Sequence, residues 1–179
     1  MKAAAVVNAA YPSLRGLEAY AGLKLVLAHG LDGMALRGLR VALIGIDAQA
    51  VRLLPELARQ AAVLKVFQHT PQWVLPGELG PQGDALKPAA WGPLKARVAQ
   101  WRARRHLHRQ VREPWLRRQL LPQYRLGTGR TVSFSNEFYP ALLQPHCELV
   151  TWPIDRLCED GIRTCDGLVH QVDCVIVAG

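Results

Sequence analysis

Residues 41–55 read VALIGIDAQAVRLLP. The run Leu39–Ile44 is aliphatic and does not alternate with polar residues, the pattern of a strand buried on both faces. Gly45 stops it. From Ala48 the apolar period changes, and Val51, Leu54, Leu57, Ala58 and Ala61 fall on one helical face. The helix expected over Ala48–Ala62 contains Pro55, which removes a backbone donor and is expected to kink it. A second apolar strand, Leu64–Gln68, follows. Strand, tight turn, helix and strand form a right-handed βαβ unit. That unit commits the chain to a parallel sheet and therefore to an α/β fold.

The turn carries the chemistry. Gly45, Asp47 and Ala50 stand at the three glycine positions of the G-x-G-x-x-G dinucleotide fingerprint. There the first residue makes the turn, the second lets backbone approach a pyrophosphate, and the third permits close helix–strand packing. Ala50 is an accepted third residue. Asp47 is not an accepted second one: its side chain fills the phosphate's space and sets a negative charge beside two more. At about 4 Å such repulsion is about 1 kcal/mol in bulk water and about 4 kcal/mol at intermediate dielectric. Asp47 is also a good helix N-cap. The candidate cofactor-binding residues of this turn are Gly45, Asp47, Ala48, Gln49 and Ala50. The end of the second strand is the other diagnostic place, where NAD sites carry an acid for the ribose 2′-hydroxyl. Gln68, His69 and Thr70 stand there without an acid, so NAD is disfavoured. His69 with Thr70 suits a 2′-phosphate, less firmly than an arginine would.

The rest of the chain fits a single domain of 179 residues. Val6–Ala9 reads as a short strand and residues 11–22 as a loop. Residues 71–93 hold many prolines and glycines and read as a long loop. Leu94–Leu120 reads as helical, Thr131–Ser135 as a third core strand and Glu148–Trp152 as a fourth. Turn signals at Asp160-Gly161 and Asp166-Gly167 predict a small β-meander before the buried strand Cys174–Val177. The expected fold is a Rossmann-like NAD(P)-binding domain with a central parallel sheet. Residues 1–38 form a leading strand and linker loop, and 39–179 the domain, with a helical insertion at about 71–122. No apolar run reaches the length of a membrane span. The start of the chain is a poor signal peptide because Asn8 and Pro12 break its apolar stretch. Cys147, Cys158, Cys165 and Cys174 form no C-x-x-C pair and read as thiols in a reducing cytoplasm.

The net charge of +8 is concentrated. Lys95–Gln119 carries nine lysines and arginines against Glu113 alone, which equals the whole chain's excess. With Trp101 and Trp115 interleaved, nucleic-acid binding is one reading. A solvated helical surface is the favoured one, with Val98, Trp101, Arg105 and His108 as its apolar edge. A face of this kind also suits docking of another domain.

The segment LRGLRVALIGIDAQAVRLLPELARQAAVLKVFQHTPQWVLP resembles the NADP-binding segment of flavin-containing monooxygenases, especially the Baeyer–Villiger and 4-hydroxyacetophenone monooxygenase group. SNEFYPALLQPHCELVTWPIDRLCEDGIRTCDG and DCVIVAG continue the resemblance, which covers most of the chain. It departs at functional positions. Asp47 replaces the middle turn glycine, and His69 the arginine of F-Q-R-T-P. On the signature F-x-G-x-x-x-H-x-x-x-W, Val26 stands for the histidine and Gly30 for the tryptophan. The group's catalytic arginine falls near GTGR. Arg130 is the best match, although Arg130 also aligns with the preceding lysine and Thr131 with the arginine.

The resemblance implies NADPH reduction of FAD and flavin-borne oxygenation of a ketone or soft nucleophile. It also implies that the FAD-binding half is absent, since the chain has no other glycine-rich fingerprint and stops after VIVAG. Two functions are therefore expected in parallel. One is a truncated or degenerate NADP-type domain of an FAD- and NADPH-dependent monooxygenase. This form is inactive in monooxygenation alone, with NADP(H) binding weakened and FAD supplied by a partner chain, and the apolar surface left where an FAD domain would pack favours self-association. The other is a non-catalytic interaction module, or a remnant that binds no cofactor.

Overall fold

Arg40–Ile44 forms the strand that its aliphatic run predicts, and Val41, Ala42 and Leu43 are fully buried within it. The computed structural model describes residues 14–26, 36–77, 91–127 and 132–178. In chain order the elements begin β1 (Leu23–Val26), β2 (Arg40–Ile44), α1 (Ala48–Gln60), β3 (Val63–Phe67) and β4 (Val74–Leu75). They continue α2 (Pro93–Gln110), α3 (Pro114–Leu120), β5 (Ser133–Phe134), α4 (Phe138–Leu142) and β6 (Cys147–Val150). The last four are β7 (Ile154–Cys158), β8 (Gly161–Thr164), β9 (Val169–Gln171) and β10 (Cys174–Val177). The described residues group into two compact units, one from 14–26, 36–45, 56–69 and 145–178, the other from 46–55 and 70–144.

The first unit is built on a five-stranded parallel sheet in the order β1-β10-β2-β3-β6. The chain lays β2, β3 and β6 side by side, then returns to set β10 on the other flank of β2. That reversal is a topological switch point, where open α/β sheets bind ligands outside the strands' carboxyl ends. Ala42, Phe67, Val150, Val175 and Val177 point to one face and pack with Leu157 and Ile162 of the meander and with Leu17 and Tyr20. Val41, Leu43, Leu64, Val66 and Ile176 alternate with them and are equally buried. Burial of both faces is why these strands read as unbroken apolar runs. The buried Tyr20 hydroxyl donates to the Val172 carbonyl at 2.9 Å.

The Rossmann-like class holds, with several corrections of detail. Leu23–Val26, inside the expected linker, is a strand of the main sheet. Helix α1 stops at Gln60 and is continuous through Pro55. The fourth expected strand ends at Val150, and Trp152 is exposed. β7, β8 and β9 form the expected antiparallel meander, and Gly167 turns at φ +88° between β8 and β9. The expected strand Val6–Ala9 lies outside the described residues.

In the second unit, Trp73, Leu75, Ala99, Ala103, Leu126 and Val132 form the core. Ser133–Phe134 is expected in the main sheet; among the described residues it pairs instead with Val74–Leu75, in a two-stranded parallel ladder. Apolar patterning marks a strand but does not choose its partner. The helix expected over Leu94–Leu120 is two helices. Pro114 starts the second and disfavours helical geometry at Glu113, which is extended, and α2 has already ended at an extended Val111. The buried face of α2 is Ala96, Ala99, Ala103, His106 and Leu107. Val98 and Trp101, the expected apolar edge with Arg105 and His108, are instead 51% and 57% exposed. Small alanines permit close packing, which an index of hydrophobic bulk underrates.

A polar chain crosses from the sheet to the meander. Lys65 Nζ lies 2.6 Å from Glu148 Oε2 and 3.3 Å from His170 Nδ1. An ammonium only donates, so Nδ1 accepts and Nε2 carries the ring proton toward Thr164 Oγ1 at 3.2 Å. Thr164 donates in turn to Asp166 Oδ1 at 2.5 Å. Burial first, and the Lys65 charge second, hold the His170 pKa below its ordinary value, against the opposing pull of Glu148 and Asp166. The unfolded chain therefore takes up the proton first as pH falls. Stability should be level between about pH 7 and about pH 8 and decline below about pH 6.5. Urea denaturation at a series of pH values should show a shallower decline for His170→Gln. The slope that remains near about pH 6 belongs to His106, which burial also holds low, and below about pH 4 the carboxylates of Glu56, Asp166 and Asp173 add to it.

Candidate functional site

The turn after β2 is built as the fingerprint requires at its first position. Gly45 has φ +84°, a conformation that side-chain-bearing residues rarely adopt. A Cβ there would come within 3.3 Å of the Ala178 carbonyl oxygen. The Gly45 amide donates to Phe67 O at 3.0 Å, and the Ala178 amide donates to Ile44 O at 2.9 Å. The glycine is thus locked against the ends of the strands that flank β2.

Two residues on, Asp47 is a helix N-cap. Its Oδ1 accepts the Ala50 amide at 2.7 Å, and its carbonyl accepts the Val51 amide at 3.0 Å. The cap engages one of the orphan donors at the start of α1, the groups that bind an anion at a helix N-terminus. The carboxylate takes that donor itself and leaves a fixed negative charge in the first turn. Ala48 and Ala50 are buried and Gln49 is exposed. The small residue required at the third fingerprint position is present, and Ala50 is fully enclosed. The residues fit the turn but do not fit a pyrophosphate seated on it.

At the end of β3 the pairing Ile44↔Phe67 brings Gly45 and Gln68 to the same carboxyl edge of the sheet. Gln68 is 4% exposed and its amide donates to Val150 O at 3.0 Å. His69 and Thr70 are exposed. No acid stands at 68–70 to accept a ribose 2′-hydroxyl. Val26 is in β1, opposite Val177. Arg130, Thr131 and Gly30 lie outside the described residues.

Nothing else among the described residues assembles a catalytic group. They contain no cluster of three or more histidines, cysteines or acids able to hold a metal. All four cysteines are free. Burial pushes the Cys147 thiol up to about 11 and the Cys174 thiol to about 12, so both are protonated at neutral pH and poor nucleophiles. The His170 chain gave no sequence signal, because Lys65, Glu148, Thr164 and His170 are brought together only by strand pairing.

Parallel sheet, switch point and glycine turn define a Rossmann-like domain. No protein-family model matches the chain. It is 29% identical over 193 residues to a Baeyer–Villiger monooxygenase of Pseudomonas aeruginosa, covering 93% of this chain and 36% of that protein. An uncharacterized monooxygenase of Mycobacterium tuberculosis (strain H37Rv) is 32% identical over 192 residues, covering 93% of this chain and 39% of that protein. The FAD-binding monooxygenase ktnD of Aspergillus niger is 29% identical over 199 residues, covering 94% and 32%. An open crystal structure of cyclohexanone monooxygenase superposes with a TM-score of 0.78 at 19% identity, over 94% of this chain and 45% of that one. A cyclohexanone monooxygenase mutant from Rhodococcus sp. Phi1, bound to NADP+, gives 0.78 at 20% identity, over 95% and 44%. These superpositions establish the fold. The chain is a homologue of one segment of the Baeyer–Villiger and FAD-binding monooxygenases, and spans less than two-fifths of the length of those three relatives.

The cap gives a direct test by thermal denaturation. Asp47→Ala should lower stability by about 1 kcal/mol, whereas Asp47→Gly should lower it by only a few tenths, about the usual contrast at an N-cap.

Proposed function

We propose that this chain is the NADP-type domain of an FAD- and NADPH-dependent monooxygenase, with its dinucleotide turn closed to the pyrophosphate, and that it does not carry out monooxygenation alone. The observation that carries the reading is the Asp47 carboxylate on the Ala50 amide at 2.7 Å, at the turn where a dinucleotide phosphate would sit. The homology to monooxygenases, one of them named as FAD-binding, supports the family chemistry. The exposed His69 and Thr70, without an acid beside them, favour NADP(H) over NAD for whatever affinity is left. Oxygen chemistry in such enzymes belongs to the flavin, so activity here requires an FAD-binding domain in addition to these residues. Arg130 is the residue proposed to act on the flavin's behalf in such an assembly. The free thiols favour a reducing, cytoplasmic setting. No helix among the described residues is long and apolar enough to cross a membrane.

The same cap favours a second reading, a non-catalytic interaction module without cofactor. The Asp47 carboxylate supplies from within the chain an anionic partner that a ligand phosphate would otherwise provide. Calorimetric titration with NADPH separates the two. The unmodified chain should bind weakly or not measurably, and the Asp47→Gly/His69→Arg double variant should bind at least tenfold more tightly. Micromolar binding by the unmodified chain would overturn the closed turn. No binding by either form would leave the interaction module.

A further inference from the structure

Helix α2 carries a second recognition feature, far in sequence from the turn after β2. One flank of the helix, with Arg97, Gln100, Trp101 and Arg104, faces Arg125 of the segment after α3 across a cavity of about 540 Å³. Among the described residues, none that lines it is acidic. The surrounding stretch Lys95–Gln119 contains one acid among nine cationic residues, so the local field is positive at this wall. The aromatic and cationic groups are already layered here. The Arg104 guanidinium lies 5.9 Å from the centroid of the buried Trp73 ring, and that of Arg105 lies 5.4 Å from the Trp101 ring. These stacks restrict the side chains, so less freedom is lost when a guanidinium engages a ligand. Gln100 is fixed as well, its Oε1 accepting the Leu126 amide at 3.3 Å.

Arg97 and Arg104 are two turns apart on α2, about 10 Å along the axis. Trp101 stands between them and is 57% exposed. A single small oxyanion does not span that distance, whereas a phosphate joined to a planar ring does. Guanidinium forks match phosphate oxygens bidentately, and an indole offers its face to a base. We infer that this cavity is a binding site for a nucleoside phosphate. The phosphate lies among Arg97, Arg104 and Arg125, and the base lies against Trp101. A cavity of about 540 Å³ fits one nucleotide better than the continuous groove of a single-stranded nucleic acid.

Fluorescence and calorimetric titrations of the full chain with AMP, adenosine, inorganic phosphate and a single-stranded oligonucleotide test this. AMP should bind saturably and at least tenfold more tightly than adenosine or phosphate alone. Arg97→Gln/Arg104→Gln, both exposed positions, should weaken AMP at least tenfold. Trp101→Ala should weaken AMP several-fold and leave inorganic phosphate unchanged. Trp152→Ala, an exposed indole outside this cavity, should leave AMP binding unchanged, which separates binding at Trp101 from stacking on any exposed aromatic. Absence of saturable AMP binding, or equal affinity in the arginine variant, would overturn the site. Tighter binding of the oligonucleotide than of AMP, with a steeper salt dependence, would replace it with a nucleic-acid surface.

Discussion

Parallel strands have no tight hairpin to set their register, and in this sheet a clasp at the amino ends of β2 and β10 does that work. Asp173 Oδ2 accepts both the Arg40 backbone amide at 2.8 Å and its Nε at 3.1 Å, while Oδ1 accepts from Nη2 at 2.7 Å. The Asp173 amide returns a bond to the Arg40 carbonyl at 2.8 Å. With those ends tied, Cys174 faces Val41 and Val177 faces Ile44. Both side chains are substantially exposed, so the pair adds little to stability as a charge interaction. Its consequence is registry, because a slip of one residue would move every buried side chain of β10 to the opposite face of the sheet. The same registry sets Ala178 against Gly45 and so fixes the turn.

That turn separates what the fold demands from what a cofactor demands. Gly45 is required by the backbone alone, through its positive φ and its approach to Ala178. Ala50 is required by packing. Asp47 meets a structural need, capping α1, while opposing the charge that a dinucleotide would bring. A chain can therefore keep the whole strand–turn–helix and lose the affinity that the shape is known for. Fold is evidence of ancestry here, and function has to be argued from the site.

The first βαβ unit, the meander and the N-cap were legible because each rests on local physics: period, turn chemistry, and a side chain three residues from its acceptor amide. Leu23–Val26 was not legible. Four residues in a stretch read as linker become a strand only because β10 offers a free edge. Ser133–Phe134 looked like a core strand and instead pairs with Val74–Leu75, since its pattern carries no information about its neighbour. On α2 the large side chains pointed to the wrong face. Alanines at 96, 99 and 103 are buried with Leu107, and Trp101 faces out. The arginines were visible as a charge excess, but the cavity they line with Trp101 depends on a loop more than twenty residues away.

By itself, the sequence determined the class of fold and the conflict within its turn. Apolar periodicity specifies which segments are strand and helix, and the identities of Gly45, Asp47 and Ala50 specify how the first turn closes. Only the tertiary structure decided which strands are neighbours, which face of α2 is covered, and which cations meet across a cavity. Those are contacts between residues distant in the chain. They are selected by the free energy of burying whole surfaces together, which no local pattern encodes.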